Sequence, residues 1–165
     1  MDETLTMDTV LRRYADDIAR AIRADGVVAS CGEGIEVIVE DRAEIENAIK
    51  TAITKATGGV AVLVTVVRWR RRANTGRLMT GDIDFQISVH ENPLFNRKGQ
   101  FVLTAQCVAE RIAVLLHWRR LADAEGREYD SRIVVDDIVR SDDKTANIEV
   151  ISAHTEQRLR GDTQE

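Results

Sequence analysis

The sequence predicts an α+β fold: a single mixed β-sheet in the order α-β-α-β-β-α-β-β, with helices packed mainly on one face and a long β2-β3 hairpin projecting from it. Three observations carry that prediction. Apolar residues recur at three- and four-residue steps in some stretches, the period of an amphipathic helix, and at two-residue steps in others, the period of a half-buried strand. Two long β runs between Val60 and His90 flank a basic turn. The second run stops just before Pro93, the only proline of the chain, which cannot donate to a ladder.

Residues 1–6 show no pattern and are expected to be disordered. Asp8 then precedes Val10, Leu11, Tyr14, Ala15, Ile18, Ala21 and Ile22, which fall on one helical face. Arg12, Arg13, Asp16, Asp17, Arg20 and Arg23 take the other, read as solvated. Gly26 marks the stop, and the small residues up to Gly34 read as a loop. Ile35, Val37 and Val39 alternate with Glu36, Ile38 and Glu40 as a short strand. Asp41 and Glu44 fit a capping box for a second helix bearing Ile45, Ala48, Ile49, Ala52 and Ile53, which ends near Gly58-Gly59. Strand, helix and strand in so short a span predict a crossover onto a parallel neighbour.

That neighbour is the first hairpin arm. Val60 to Val67 is almost wholly apolar, as expected of a strand covered on both faces. The second arm alternates: Met79, Gly81, Ile83, Phe85, Ile87 and Val89 share one face, Thr80, Asp82, Asp84, Gln86, Ser88 and His90 the other. A dozen residues per arm span roughly 40 Å, about the width of the whole domain, so the tip should overhang the body. The third helix carries Phe101, Val102, Ala105, Val108, Ala109, Ile112, Ala113, Leu115 and Leu116, and Cys107 within it reads as a buried thiol. Trp118, Arg119 and Arg120 close it, the basic pair complementing the helix C-terminus. Leu121 to Ser131 reads as a polar connector. Ile133 to Val139 and Ile148 to Ile151 form the last two strands about a turn at Ser141-Asp142-Asp143-Lys144, and the charged residues 157–165 are expected to be disordered.

A chain of 165 residues fits one domain, residues 1–165. Its net charge of −5 argues against wholesale coating of nucleic acid or anionic membrane. Cys31 and Cys107 have no metal-ligand spacing, and no apolar run approaches a membrane span, so the expected location is the cytoplasm.

The residues bear on three chemistries. Asp142-Asp143-Lys144, joined by Asp82, Asp84, Asp136 and Asp137, resembles the Mg²⁺ site of a nuclease, but the step falls in a turn, where Asp and Lys are favoured anyway. The run Arg68-Trp69-Arg70-Arg71-Arg72 offers phosphate contacts and a stacking ring for nucleic acid, although alternation points Trp69 away from Arg68 and Arg70. His90, His117 and His154 are scattered, with no nucleophile pattern near them. The reading is therefore a non-enzyme with no catalytic residue, metal or cofactor. An exposed cationic arm is an aggregation hazard unless a partner receives it, which makes it an assembly element.

The run Ile87-Ser-Val-His-Glu-Asn-Pro-Leu-Phe-Asn-Arg97 and the helix end Leu115-Leu-His-Trp118 resemble segments of small prophage tail-region proteins. The element order is similar to that of tail terminators, the gpU-like class of long-tailed phages. That resemblance implies a homo-oligomeric ring, often a hexamer, which caps the tail tube, meets head-completion proteins and ends in the virion. The oligomer or partner-binding residues it suggests are Arg68, Arg70, Arg71, Arg72, Arg77, Asp82 and Asp84 on the hairpin and Asp142 and Asp143 on the acidic turn. Cationic arm and acidic turn, with Asp136 and Asp137, would meet head to tail. The alternative is a nucleic-acid-binding accessory protein using the Arg68–Arg77 tip.

Overall fold

The computed structural model describes residues 7–30, 35–39, 59–71, 79–92, 103–142 and 147–159. The helix expected after Asp41, the hairpin turn with Arg72 and Arg77, the Pro93 loop, and Asp143 with Lys144 lie outside the described residues. Those described form α1 (Met7–Arg23), α2 (Gly26–Ser30), β1 (Ile35–Val39), β2 (Val60–Arg71), β3 (Met79–Glu91), α3 (Ala105–Leu116), β4 (Arg120–Ala122), β5 (Glu128–Asp142) and β6 (Asn147–Leu159). Their strands join in one mixed sheet of order β1-β2-β3-β6-β5-β4, the expected α+β class.

Periodicity places the core. Tyr14, Ala15, Ile18, Ala19 and Ile22 of α1 and Ala105, Val108, Ala109, Ile112 and Leu116 of α3 share one apolar cluster with Val60, Val62, Val64, Ile83, Phe85, Ile87, Ile133 and Ile151 of the sheet. Both helices therefore cover the same sheet face. Tyr14 meets Phe85 at 6.0 Å between ring centroids, and Arg23 Nη2 donates to the Val37 carbonyl at 2.6 Å, tying α1 to the β1 side. β1 pairs parallel with β2, from Ile35 opposite Val60 to Val39 opposite Val64, as the crossover pattern requires. Val60 to Val64 are buried on both faces, the double burial that an unbroken apolar run predicts.

Two bulges decide which side chains face the core. In β2 the register shifts between Val66 and Arg68, so Val60, Val62, Val64, Val66 and then Trp69 point to the helix side. Without the extra residue, Arg68 and Arg70 would point there instead. In β5 a second shift between Val135 and Asp137 brings Ile133, Val135 and then Ile138 into line with Thr155, Ala153 and Ile151.

Several expectations give way. Residues 26–30 are not loop but the short helix α2, because Asp25 Oδ2 accepts from the N–H groups of Val27 and Val28 at 3.1 and 3.2 Å, the role of an N-cap. The third helix stops at Leu116, before Trp118, and the expected connector from Leu121 holds β4 and the start of β5. Buried Leu121 anchors it, and a turn at Gly126 (φ 82°) links the two strands. Residues 157–159 are not disordered; they continue β6, paired to β3 as far as Leu159 opposite Met79. Thr155, buried in line with Ile83, carries the period-two pattern of Ile151 and Ala153 up to the segment whose charges suggested disorder. Cys107 is exposed, since position 107 lies between the buried positions 105 and 108 on the wet side of α3. Asp17 is buried rather than solvated; it pairs with Arg20 at 2.9 Å and accepts the Tyr129 hydroxyl proton.

Candidate functional site

β1 stops pairing at Val64, so the upper part of β2 has a strand neighbour on one side only among the described residues. β3, in contrast, is flanked by β6 along its whole length, and the arm is a three-stranded ribbon over that stretch. Its outer face carries an ionic cluster. Asp84 Oδ2 accepts from Arg68 Nε and Arg70 Nε, each at 2.7 Å, and Oδ1 accepts from Arg70 Nη2 at 2.9 Å. The Arg70 hydrogen bond holds the Asp84 carboxyl below its ordinary value; burial opposes this and Arg68 reinforces it. Asp84 in turn pushes the Arg70 guanidinium up, with smaller contributions from Asp82 and Asp136. His154, opposite Asp84 on β6, bonds through Nδ1 to Asp136 Oδ2 at 2.9 Å.

The predicted residues separate accordingly. Arg68, Arg70, Asp82 and Asp84 are together, joined by Asp136 and His154. Arg71 pairs through its backbone with Gly81 at the far end of the arm, while Arg72 and Arg77 lie outside the described residues. Asp142 sits opposite Asn147 at the other end of the sheet, and Asp143 lies outside the described residues. With Asp84 holding two guanidiniums, the cluster clasps β2 to β3, and both cations already have a carboxylate partner. Trp69 faces the helix side, over Gly81, as alternation requires.

A second surface was not singled out by the sequence. Past the end of α3, Trp118 adopts φ 65°, a left-handed conformation rare for a bulky residue, and its side chain is 60% exposed. The turn is held by Trp118 N–H donating to Ile133 O at 2.7 Å and Ile133 N–H to Arg119 O at 2.9 Å. The Arg132 guanidinium lies 5.6 Å from the indole centroid and donates to Trp118 O at 2.8 Å. An open cleft of about 480 Å³ is lined by Trp118, Arg119, Arg120, Ala122, Glu128 and Arg132. The signal was a Trp followed at once by two arginines; Arg132, fourteen residues after Trp118, is brought in only by β5.

The sheet edges are the third feature. β4 covers only the start of β5, so over residues 136–142 β5 pairs with β6 on one side and has no strand among the described residues on the other. This stretch exposes Ile138 (39%) and Val139 (54%) beside Asp136, Asp137 and Arg140. The opposite edge is β1, a five-residue strand that is apolar except for Glu36.

No protein-family model and no curated protein matches the chain. Among solved structures, the fold is similar to a chain from the virion of a native gene transfer agent particle, with 15% identity and a TM-score of 0.49 over 89% of this chain and 94% of that one. It is also similar to a solved protein whose description names no function, with 14% identity and a TM-score of 0.53 over 96% and 99% of the two chains. The second likeness shows a shared fold and nothing more; the first is too distant to argue from.

Proposed function

We propose that the chain is a non-enzymatic structural subunit of a phage-type tail, a ring-forming protein of the tail-terminator kind that caps the tail tube and meets head-completion proteins. The observation that carries this reading is the pair of unlike sheet edges. A protomer with a short, mostly apolar edge at β1 and an acidic-apolar edge at β5 presents two different surfaces. Contact between unlike surfaces is head to tail, the arrangement that closes into a ring. The segments from Ile87 to Arg97 and from Leu115 to Trp118, which resemble tail-region proteins, supply the tail assignment. The charge-paired arm of β2, β3 and β6 serves as a stiff contact element. Asp142, paired through its backbone with Asn147, lies at the sheet end away from the arm, as a head-to-tail meeting of tip and acidic turn requires.

The test is assembly. Light scattering across a concentration series, with electron microscopy of the chain mixed with tail-tube protein, is expected to show a discrete ring or a capped tube end. A protein that stays monomeric at high concentration and leaves tube ends bare overturns the proposal.

A further inference from the structure

We propose that the Trp118 cleft is a binding site for single-stranded nucleic acid, with a base stacking on the indole and Arg119, Arg120 and Arg132 meeting its phosphates. The contrast among the arginines points there. Arg20, Arg68, Arg70, Arg111, Arg127 and Arg140 each pair with a carboxylate. Arg119, Arg120 and Arg132 are exposed and have no carboxylate partner among the described residues, although the chain as a whole is acidic. They converge on one open cleft, facing a single acid, Glu128.

Trp118 gives the cleft its second chemistry. A glycine would satisfy φ 65° without strain, yet the chain places there its largest side chain and leaves more than half of it in solvent. Arg132 packs over the ring and fixes it. An exposed indole beside guanidiniums that lack a carboxylate partner is the combination that binds single strands without base specificity, through stacking and phosphate neutralisation. An acidic peptide would use the cations and leave the ring idle. The cleft volume suits about one nucleotide unit. The site is independent of ring formation and exists in a monomer.

Binding of a labelled oligothymidylate of about twelve nucleotides, followed by fluorescence anisotropy at low salt, tests this. Parallel arms use oligouridylate, duplex DNA of mixed sequence and poly-glutamate. The expected result is binding of the single strands in preference to the duplex. The slope of log affinity on log salt should be near −2, from three arginines at about 0.7 each. Trp118→Gly, which suits the backbone and so preserves the fold, is expected to weaken binding roughly tenfold. The pair Arg119→Ala with Arg120→Ala should flatten the salt slope by more than one unit. Arg13→Ala, an exposed arginine of α1 outside the cleft lining, should change neither. No binding at low salt, binding indifferent to Trp118→Gly, or poly-glutamate binding as tightly as the oligonucleotide overturns the proposal.

Discussion

Gly81 shows what one atom decides at the residue scale. A Cβ built there would lie 2.4 Å from the Arg70 carbonyl oxygen and 2.4 Å from Trp69 Cε2, so only hydrogen fits beneath the indole. Gly81→Ala must therefore shift backbone as well as ring. The expected loss is about 1–3 kcal/mol, the usual cost of overpacking, read as a lower urea midpoint with unchanged slope. Combining it with Trp69→Ala should recover only part of the loss, because the carbonyl contact remains. An unchanged midpoint in the single variant would mean that the indole is not seated there. Sequence placed Gly81 on the apolar face but carried no sign of the ring above it, since Trp69 lies twelve positions away and its direction depends on the bulge at Val67. Asp17 is the same lesson in reverse. It sits beside Asp16 in the same polar run, and only Tyr129, from a distant strand, distinguishes the buried carboxylate from the wet one.

Among the elements, α2 and α3 are locked by Asp25. Its carboxylate caps α2 and takes Arg111 of α3 twice, Nη2 to Oδ1 at 2.8 Å and Nε to Oδ2 at 3.2 Å. The Arg111 hydrogen bond holds the Asp25 carboxyl below its ordinary value; burial opposes this, and the capped N–H groups and the Arg111 charge support it. A depressed carboxyl contributes stability that is present above the unfolded value, about 3.9, and lost as pH falls through the folded one. Asp84 is lowered in the same direction, so both act in acid. The expected outcome is a fall in unfolding free energy below about pH 4 that is shallower in Asp25→Asn, which also starts roughly 1–3 kcal/mol less stable at neutral pH. Equal acid slopes in the two proteins would show that this carboxyl is not linked to folding. The long elements were legible because their periodicity is strong: α1, both hairpin arms and the body of α3 lie where apolar spacing put them, although α3 starts only after the Thr104 cap and not at Phe101. Of the short ones, β1 was read from its alternation and two were not. α2 and β4 have too few residues to show a period, and each depends on a distant contact, Arg111 for the first and β5 for the second.

Considered as a whole molecule, the sheet has an interior and a short edge strand at β1 that sequence foresaw, and an edge at β5 that it did not. Strand order is set by where β6 inserts, between β3 and β5, and a chain read in order offers no signal for that. The arm was likewise legible as long and basic, but not as three-stranded, because the tail beside it looked too charged to pair. The edge of β5 carries the last prediction. Val139 is 54% exposed and faces away from the helices, in line with Val150, so replacing it removes little buried contact within the protomer. Val139→Lys should change stability by less than about 0.5 kcal/mol. A lysine on an open edge blocks strand-to-strand association, the device by which natural sheets stay monomeric. If neighbours join through this edge, the variant stays folded by circular dichroism while its scattering mass falls to that of a monomer. Val114→Lys is the control: Val114 is 75% exposed on α3, away from the edge, and the same charge there should leave assembly intact. Loss in both variants would indict net charge rather than the edge. Loss in neither would move the contact to β1 or to the arm.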